Sequence, residues 1–263
     1  MLKKIAHALL IILIPAGLLV LLGLTSAHNV LHHGHGLQVM VDNSCGNQFV
    51  TPEAFKQLIY SRYPDIDQQP ASEGTLMTLK QLVEGNPFVR RAAIYRTING
   101  DICIRIGQRD PLARVINSSG QGYYIDRGGR TMPLSDRYTS RVMLVSGYIQ
   151  TTFSQPVDLT EDKPLEQISA GERRLRDVFT LASHIDQSPL WRSLIDQVVV
   201  TQHGHFELIP MNGAHVIEFG SLDQMEEKFR KLDMFYRTGI RQVGWNHYSR
   251  INLMYNRQVV CTK

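Results

Sequence analysis

The residues that decide the fold lie at positions 92–109 and read AAIYRTINGDICIRIGQR. Asn99-Gly100 is the preferred two-residue turn of a β-hairpin, because both positions accept a positive φ. In the second strand every other residue is isoleucine, which is typical of a sheet with one face packed on other elements. A two-residue turn pairs Tyr95 with Ile104, so the packed face continues across both strands. We therefore predict a hairpin with helices over its apolar face.

The segment before the hairpin supplies a first strand and two helices. Residues 37–41 form a short apolar strand. A helix begins after Thr51, which caps it, with Pro52 at the first helical position. A second helix extends over 75–84 and ends before a Gly-Asn-Pro sequence. Apolar side chains at helical spacing mark the faces that pack on the sheet: Phe55, Leu58 and Ile59, then Leu76, Leu79, Leu82 and Val83.

The second half of the chain predicts a mixed or antiparallel sheet with helices. Helical periodicity extends over 172–184 and 222–236. The strand candidates are 141–147, 198–201, 206–209, 216–219 and 251–261. The chain ends in a strand, and a terminal strand commonly lies at a sheet edge, where it can accept a strand from another protein.

The first residues decide the compartment. Ile5–Leu24 is an almost unbroken apolar run of twenty residues, about the length that crosses ~30 Å of hydrocarbon as a helix. Lys3 and Lys4 precede it, and no other charged residue occurs before Asp42. Lysines on this side predict a cytoplasmic amino terminus and an exported remainder. The small residues at 25–27 leave a cleaved signal peptide as the alternative.

These patterns predict an α+β protein in five segments. The first two are a cytoplasmic tail and a transmembrane anchor, and a short linker joins them to two exported domains. The first exported domain has the order β-α-α-β-β, and the second is a β domain with helices. The predicted bounds are 1–4 for the tail, 5–27 for the anchor, 28–36 for the linker, 37–115 for the first domain and 116–263 for the second.

Charge and cysteine usage limit the partners. Without Lys3 and Lys4, 26 basic side chains stand against 24 acidic ones, so the exported part is nearly neutral. A nucleic-acid binder would show a basic surplus, and charge therefore argues against that partner class. Cys45, Cys103 and Cys261 are odd in number and form no C-x-x-C motif. We interpret them as small buried apolar residues without a function.

The three-stranded, two-helix unit behind an anchor resembles a POTRA domain. The residues that close it are similar to the FtsQ/DivIB cell division family, in which a Q/K-R-x-P-x-A strand precedes an aromatic-Ile-Asp hairpin. The positions of this sequence that match the motif are Gln108, Arg109, Pro111, Tyr124 and Asp126. Residues 206–210 and 251–260 resemble the second, β domain of the family, particularly in its Bacteroidetes-type members. Residues 155–171 depart from the family pattern as an insertion.

The resemblance implies a divisome scaffold without enzymatic activity, cofactor or small-molecule substrate. It also implies a single-pass inner-membrane protein with its bulk in the periplasm, concentrated at the division septum. Members of the family bind FtsB and FtsL through the last strand and the residues behind it, which regulates septal peptidoglycan synthesis. Its POTRA domain and anchor help recruit the protein to the division site through other divisome membrane proteins.

Carried over by motif, the partner-binding residues lie at the carboxyl end. They are Tyr255, Asn256, Arg257, Gln258, Val259 and Val260. We expect Tyr255 to act as an anchor and Arg257 to meet partner carboxylates. The alternative is that Tyr255 and Val259 face the core of their own domain. Pro111 has an alternative use as well, because a proline can end a strand and protect an exposed edge.

Two other function classes stay open. An exported zinc hydrolase would use the histidines at 28–35 (His28, His32, His33 and His35), although no cysteine or carboxylate completes a ligand set there. His203 and His205 also lack a third ligand nearby, and no nucleophile elbow, H-E-x-x-H helix or P-loop is present. An export or outer-membrane-assembly factor is the other class, because POTRA units serve there as docking modules. Such proteins usually carry tandem units, and this sequence has one.

Overall fold

The computed structural model describes residues 36–67, 72–98 and 100–263, together with positions 16 and 20. The chain divides into two compact units. Within the described residues, the first unit consists of 36–44 and 50–108, and the second of 45–49 and 109–263.

The first unit is a three-stranded sheet with two helices. Its elements are β1 (Leu37–Asp42), α1 (Pro52–Arg62), α2 (Glu73–Glu84), β2 (Val89–Arg96) and β3 (Ile102–Gln108). The strand order is β1-β3-β2, with β1 parallel and β2 antiparallel to β3. α1 contacts β1 and α2 contacts β2. The predicted order of elements is therefore confirmed.

Side-chain caps set where the two helices begin. The Thr51 hydroxyl accepts a hydrogen bond from the Ala54 amide at 3.3 Å, as the sequence predicts. Ser72 caps α2 in the same way through the Thr75 amide at 3.2 Å, so α2 begins two residues earlier than expected. The residues buried on the helices are Phe55, Ile59, Leu79 and Val83. Leu58 is 39% exposed, and its placement on the buried face is wrong.

The hairpin forms, but the predicted two-residue turn is wrong. The Thr97 amide donates to the Asp101 carbonyl at 2.9 Å, which leaves three positions in the loop. Gly100 takes a φ of 94°, as the last residue of such a loop requires. The longer loop shifts the register by one residue, so Ile104 lies opposite Ile94, and Tyr95 lies opposite Cys103. Tyr95 consequently points to the outer face, and is 39% exposed.

The second unit is built on a nine-stranded sheet of order β12-β11-β10-β9-β8-β7-β4-β5-β6. Its first strands are β4 (Pro111–Ile116), β5 (Gly122–Asp126), β6 (Thr131–Pro133) and β7 (Met143–Gly147). They are followed by α3 (Ala170–Gln187), α4 (Pro189–Leu194), β8 (Ile195–Val200), β9 (Phe206–Pro210) and β10 (Val216–Gly220). The last elements are α5 (Met225–Phe235), a π-helical turn (Tyr236–Ile240), α6 (Arg241–Val243), β11 (Arg250–Asn252) and β12 (Val260–Thr262).

One apolar core joins the sheet to the helices of the second unit. α3 buries residues at helical spacing, and the Ser169 hydroxyl caps it by accepting from the Glu172 amide at 3.1 Å. α5 buries Phe229 and Leu232, which pack with strand residues such as Phe219. Each buried side chain of this size contributes about 1.5–3 kcal/mol to folding. The mixed sheet with helices was predicted from the same periodicities.

The predicted terminal strand at 251–261 is wrong as a single strand. β11 and β12 are separate, antiparallel strands of three residues each, with Asn252 opposite Val260. The seven residues between them form the turn of this C-terminal hairpin. Strand-like composition alone does not reveal the polar contacts that turn the chain, which are described below.

The predicted domain boundary after residue 115 lies inside the second unit. β4 pairs with β5 and β7 in the nine-stranded sheet, so the division falls between Gln108 and Arg109. Only two residues separate β3 from β4, which explains why the strand pattern in the sequence shows no break at the domain boundary. The predicted anchor at 5–27 lies outside the described residues, apart from the isolated positions 16 and 20. None of the helices that the structure describes is long and apolar enough to cross a membrane.

The three cysteines are free thiols. Cys103 is buried, and burial raises the pKa of the half-buried Cys261 thiol. Cys45 is exposed, so its interpretation as a small buried apolar residue is wrong. An exposed position after β1 is set by tertiary structure and leaves no mark in the composition.

Candidate partner-binding edge

The C-terminal hairpin forms one end of the nine-stranded sheet. β11 lies between β10, to which it is parallel, and β12. β12 pairs with β11 on one side, and in the described part of the chain no strand lies on its other side. Backbone N-H and C=O groups on that outer side are therefore open to an added strand. We call β12 with the turn at 253–259 the C-terminal edge.

Charged and apolar contacts fix β11 in the sheet. Ile251 and Leu253 are fully buried. The Arg250 guanidinium forms ion pairs with Glu218 on β10 and with Glu207 on β9, the latter at 2.6 Å. These pairs span three neighbouring strands. β11 therefore gives β12 a fixed support.

Three polar contacts turn the chain after β11. The Asn252 side-chain oxygen accepts from the Met254 amide at 2.9 Å. The Lys231 ammonium on α5 donates to the carbonyls of Leu253 at 3.0 Å and Tyr255 at 2.7 Å. These hydrogen bonds hold the two carbonyls toward α5. Arg257 then takes a φ of 59°, a left-handed conformation that reverses the chain toward β12.

The predicted contact residues divide into an outward and an inward group. Tyr255 is 51% exposed and Val260 is 39% exposed, and Asn256, Arg257 and Gln258 are exposed as well. Val259 is half-buried and packs on the core. The own-core alternative therefore describes Val259 but not Tyr255.

Met254 is a candidate that the sequence reasoning missed. Its side chain is 45% exposed beside Tyr255. The signal was present in the alternation of the sequence, because Ile251 and Leu253 share one face and Met254 follows on the opposite one. Gly220 leaves space for it, since a Cβ at that position would lie 2.6 Å from the Met254 Cγ. Together with Tyr255 and Val260, Met254 gives the edge an apolar outer surface.

A buried histidine supports the same end of the sheet. His215 is 1% exposed, and its ring nitrogens contact the Tyr236 hydroxyl at 2.9 Å and the Trp245 carbonyl at 3.3 Å. Burial lowers the pKa of His215, and burial raises the pKa of Tyr236. Both groups are therefore neutral near pH 7. A neutral imidazole can accept from the hydroxyl and donate to the carbonyl, which joins the π-helical turn to β10.

The family-motif residues before β4 and around β5 have structural contacts. The Gln108 side-chain oxygen accepts from the Val50 amide at 3.1 Å, and its nitrogen donates to Asn43 at 2.7 Å. Arg109 donates to the buried Asp126 carboxylate at 2.7 Å. Asp126 also accepts from the Arg130 amide at 2.8 Å, which fixes the turn between β5 and β6.

Tyr124 and Pro111 belong to the same framework. Tyr124 is 1% exposed, and its hydroxyl accepts from the Ser140 amide at 3.2 Å. Pro111 opens β4 opposite Asp126. Arg109, Pro111, Tyr124 and Asp126 therefore stabilise the fold around the β4–β6 turns, whereas Gln108 contacts residues of the first unit. None of the five positions extends the C-terminal edge.

Metal chemistry has no visible site in the described residues, where no group of three His, Cys, Asp or Glu side chains could hold an ion. The histidines at 28–35 lie outside the described residues. The arrangement at the C-terminal edge is suited to binding, because it combines open backbone groups with exposed apolar side chains.

Comparisons with known proteins identify the family of the chain. Residues 110–262 match the family described as FtsQ/DivIB, C-terminal related, and residues 32–107 match the POTRA-like domain. A curated relative, "Cell division protein FtsQ" of Salinibacter ruber (strain DSM 13855 / M31), is 27% identical over 189 residues, which cover 70% of this chain and 68% of the relative. Because the FtsQ/DivIB match spans more than half of the chain, the protein belongs to the FtsQ/DivIB family of cell division proteins.

Proposed function

We propose that the protein is a divisome scaffold that binds FtsB/FtsL-like proteins by strand addition at its C-terminal edge. The observation that carries the proposal is the open outer side of β12 next to the exposed Tyr255 and Val260. An added strand gains main-chain hydrogen bonds of about 1 kcal/mol each, and side-chain anchors supply the rest of the affinity. The bound complex would regulate septal peptidoglycan synthesis.

We expect Tyr255 to insert into the partner and Arg257 to meet partner carboxylates. Both side chains are exposed, so their substitution leaves the core intact. Asn256, Gln258 and Val260 complete the outward group, and Val259 acts by fixing the turn from within. Loss of one aromatic anchor at the centre of an interface typically costs 2 kcal/mol or more in binding, by the order of magnitude of known hot spots.

The test is capture of the FtsB-like partner by the full-length double variant Tyr255→Ala/Arg257→Glu. The matched control is Tyr148→Ala/Arg137→Glu, which changes the same residue types at exposed positions away from the edge. We expect the edge variant to lose capture by about 30-fold or more and the control to retain it. Equal capture by the two variants, both folded by circular dichroism, would refute the site.

The proposed location is the inner membrane, with the amino terminus in the cytoplasm, the bulk in the periplasm and accumulation at the septum. Its support is the uncharged apolar run Ile5–Leu24 behind Lys3 and Lys4. In this proposal the POTRA-like unit and the anchor contact other divisome membrane proteins. A fluorescent fusion tests the location. We expect a band at midcell, and a uniform or soluble signal would contradict it.

A further inference from the structure

The outer face of the first unit's sheet carries exposed apolar and basic side chains. α1 and α2 lie against the opposite face, through contacts to β1 and β2. The strand register sets the outer residues in three rows across β1, β3 and β2. They are Gln38-Cys103-Tyr95, Met40-Arg105-Ala93 and Asp42-Gly107-Arg91.

A depression of about 490 Å³ lies in this face, lined by residues of the second and third rows together with Val41, Ala92 and Ile106. It exists because Ala93 and Gly107 are the smallest members of their rows. A Cβ on Gly107 would lie 3.2 Å from the Arg91 Cγ, so the stem of Arg91 crosses over the glycine. Met40, 42% exposed, adds an apolar wall. The depression is large enough for one or two side chains of a partner.

Two guanidinium groups flank the depression. Arg91 and Arg105 are both exposed, and neither forms an ion pair with a described residue. The Arg105 guanidinium lies 5.8 Å from the centre of the Tyr95 ring, which orients it along the face. Planar guanidinium groups prefer carboxylates, with which they form paired hydrogen bonds.

The charge of the first unit is separated between its two sides. The outer rows carry Arg91 and Arg105 and a single acidic residue, Asp42, whereas Arg96 lies opposite Ile102 in a row that faces the helices. The Asp42 carboxylate accepts from the Ser44 amide at 2.9 Å, within its own turn. The helix side carries an acidic excess, and the described residues there include Glu53, Asp65, Asp67, Glu73 and Glu84.

We propose that this outer face binds an acidic, partly apolar segment of another exported protein. Carboxylates of the segment would pair with Arg91 and Arg105, an apolar side chain would enter the depression beside Met40, and the exposed Tyr95 would contact the segment in the neighbouring row. The proposal rests on the proposed function in one respect, since it gives the POTRA-like unit its contact surface. It uses the face of the sheet and leaves the backbone edges of β1 and β2 free.

Two other occupants fit the face less well. The amino-terminal residues of this chain contain no Asp or Glu before Asp42, so they cannot supply the carboxylates. A second copy could offer its acidic helix side. A contact between the basic face of one copy and the acidic helix side of the next is head-to-tail, and it extends into filaments unless a ring closes. Lys56, Arg62 and Lys80 also weaken the acidic character of that side. A partner protein is therefore the occupant that the charges favour.

The test uses the full-length chain in dividing cells with a photo-cross-linking amino acid, benzoylphenylalanine, at position 40 or 95. Position 77 is the control, because Met77 is 65% exposed on α2. We expect adducts from 40 and 95, but not from 77, and expect mass spectrometry to place the cross-linked peptide in an acidic segment of one partner. Absence of adducts at both positions, a peptide without net negative charge, or an adduct with a second copy of the chain would overturn the proposal.

Charge reversal supplies the second arm. Arg91→Glu/Arg105→Glu is expected to lower the adduct yield about tenfold, whereas Arg62→Glu/Lys80→Glu, at exposed positions on the helix side, is expected to leave it unchanged. An equal yield in both variants would contradict the proposal. Capture of the FtsB-like partner, measured in the same cells, separates the two claims. If the proposed function is wrong, the parent protein does not capture this partner. If only the sheet-face proposal is wrong, the capture persists.

Discussion

β6 and β12 are the outermost strands of the same sheet, and they differ in whether another segment of the chain covers their outer side. At β6, the Thr131 amide donates to the Val157 carbonyl at 2.9 Å, and the Thr131 hydroxyl accepts from the Val157 amide at 2.7 Å. The segment then continues to Leu159, which is 3% exposed. In the described part of the chain, β12 has no such cover. We therefore expect the closed edge to contribute stability, and we propose the open edge as the binding site.

The same comparison gives the predicted insertion a physical role. Residues 155–171 include the strip that covers the start of β6, and an isolated bridge joins Arg130 to Asp158. An uncovered strand invites pairing with other chains. A segment that looks dispensable in the sequence therefore protects one edge, while the other edge stays available.

The largest expected effect is at the closed edge, from Asp126→Asn. The substitution leaves Arg109, whose side chain is 13% exposed, without its carboxylate partner. Removal of one partner from a buried ion pair costs about 3–5 kcal/mol, because the other charge stays desolvated. We expect the free energy of unfolding in urea to fall by about 4 kcal/mol. The exposed Asp162→Asn is the matched control and is expected to stay within about 0.5 kcal/mol of the parent.

Leu159→Ala tests the cover itself. Leu159 belongs to the core cluster, and truncation of a buried leucine to alanine leaves a cavity. We expect a loss of about 3 kcal/mol in the free energy of unfolding, and increased aggregation as β6 becomes accessible. Leu190→Ala, at a site 45% exposed, is the control. If both variants unfold at the same urea concentration, residues 157–159 do not cover the edge.

A pH effect is expected on the side of the open edge, at His215. Burial holds the pKa of His215 below its ordinary value of 6.5, so the unfolded chain binds a proton more readily than the folded one. The contribution of the neutral His215 to the free energy of unfolding is therefore fully present above pH 6.5, and it is lost as the pH falls below that value. One such proton gives a slope of at most about 1.4 kcal/mol per pH unit.

The measurement is the free energy of unfolding between about pH 7.5 and about pH 5, the range in which histidines titrate. His215→Phe is less stable near neutral pH but lacks this contribution, so its curve is flatter than that of the parent. Parallel curves for the two proteins would show that His215 titrates alike in the folded and unfolded chains. Asp126 variants provide the comparison from the closed edge and are expected to keep the parent's histidine-dependent slope.

The smallest stability effect is expected from Lys231→Met at the open edge. The variant removes two hydrogen bonds, to the carbonyls of Leu253 and Tyr255. We expect a loss of about 1 kcal/mol, together with weaker partner capture as the turn loosens. Arg230→Met, at an exposed neighbouring position, should change neither quantity. A loss at Lys231 as large as that at Asp126 would remove the distinction between the edges.

Local patterns predicted the parts of the fold that local forces determine. Alternating isoleucines in β3 and the Thr51 cap predicted the first unit, because strand and helix periods are properties of the sequence itself. The register of the hairpin was missed, since a three-residue loop with Gly100 at its end competes with the two-residue turn that Asn99-Gly100 favours.

The candidate site was predicted in position but not in shape. The terminal location of Tyr255 and Val260 was readable from the sequence, whereas the turn at 253–259 depends on Lys231, more than twenty residues away. The cover of β6 was equally unreadable, because Thr131 meets Val157 only after folding. Long-range polar contacts thus decided both edges.

Amide hydrogen exchange of β12 and β6, with and without a saturating FtsB-like partner, tests the central claim most directly. Strand addition would give the outward amides of Val260–Thr262 new acceptors, so we expect their exchange to slow by about tenfold or more in the complex. Exchange at the Thr131 and Met132 amides of β6, which is already covered, is expected to stay the same. If the partner binds and β12 exchanges at its free rate, the open edge is not the binding site.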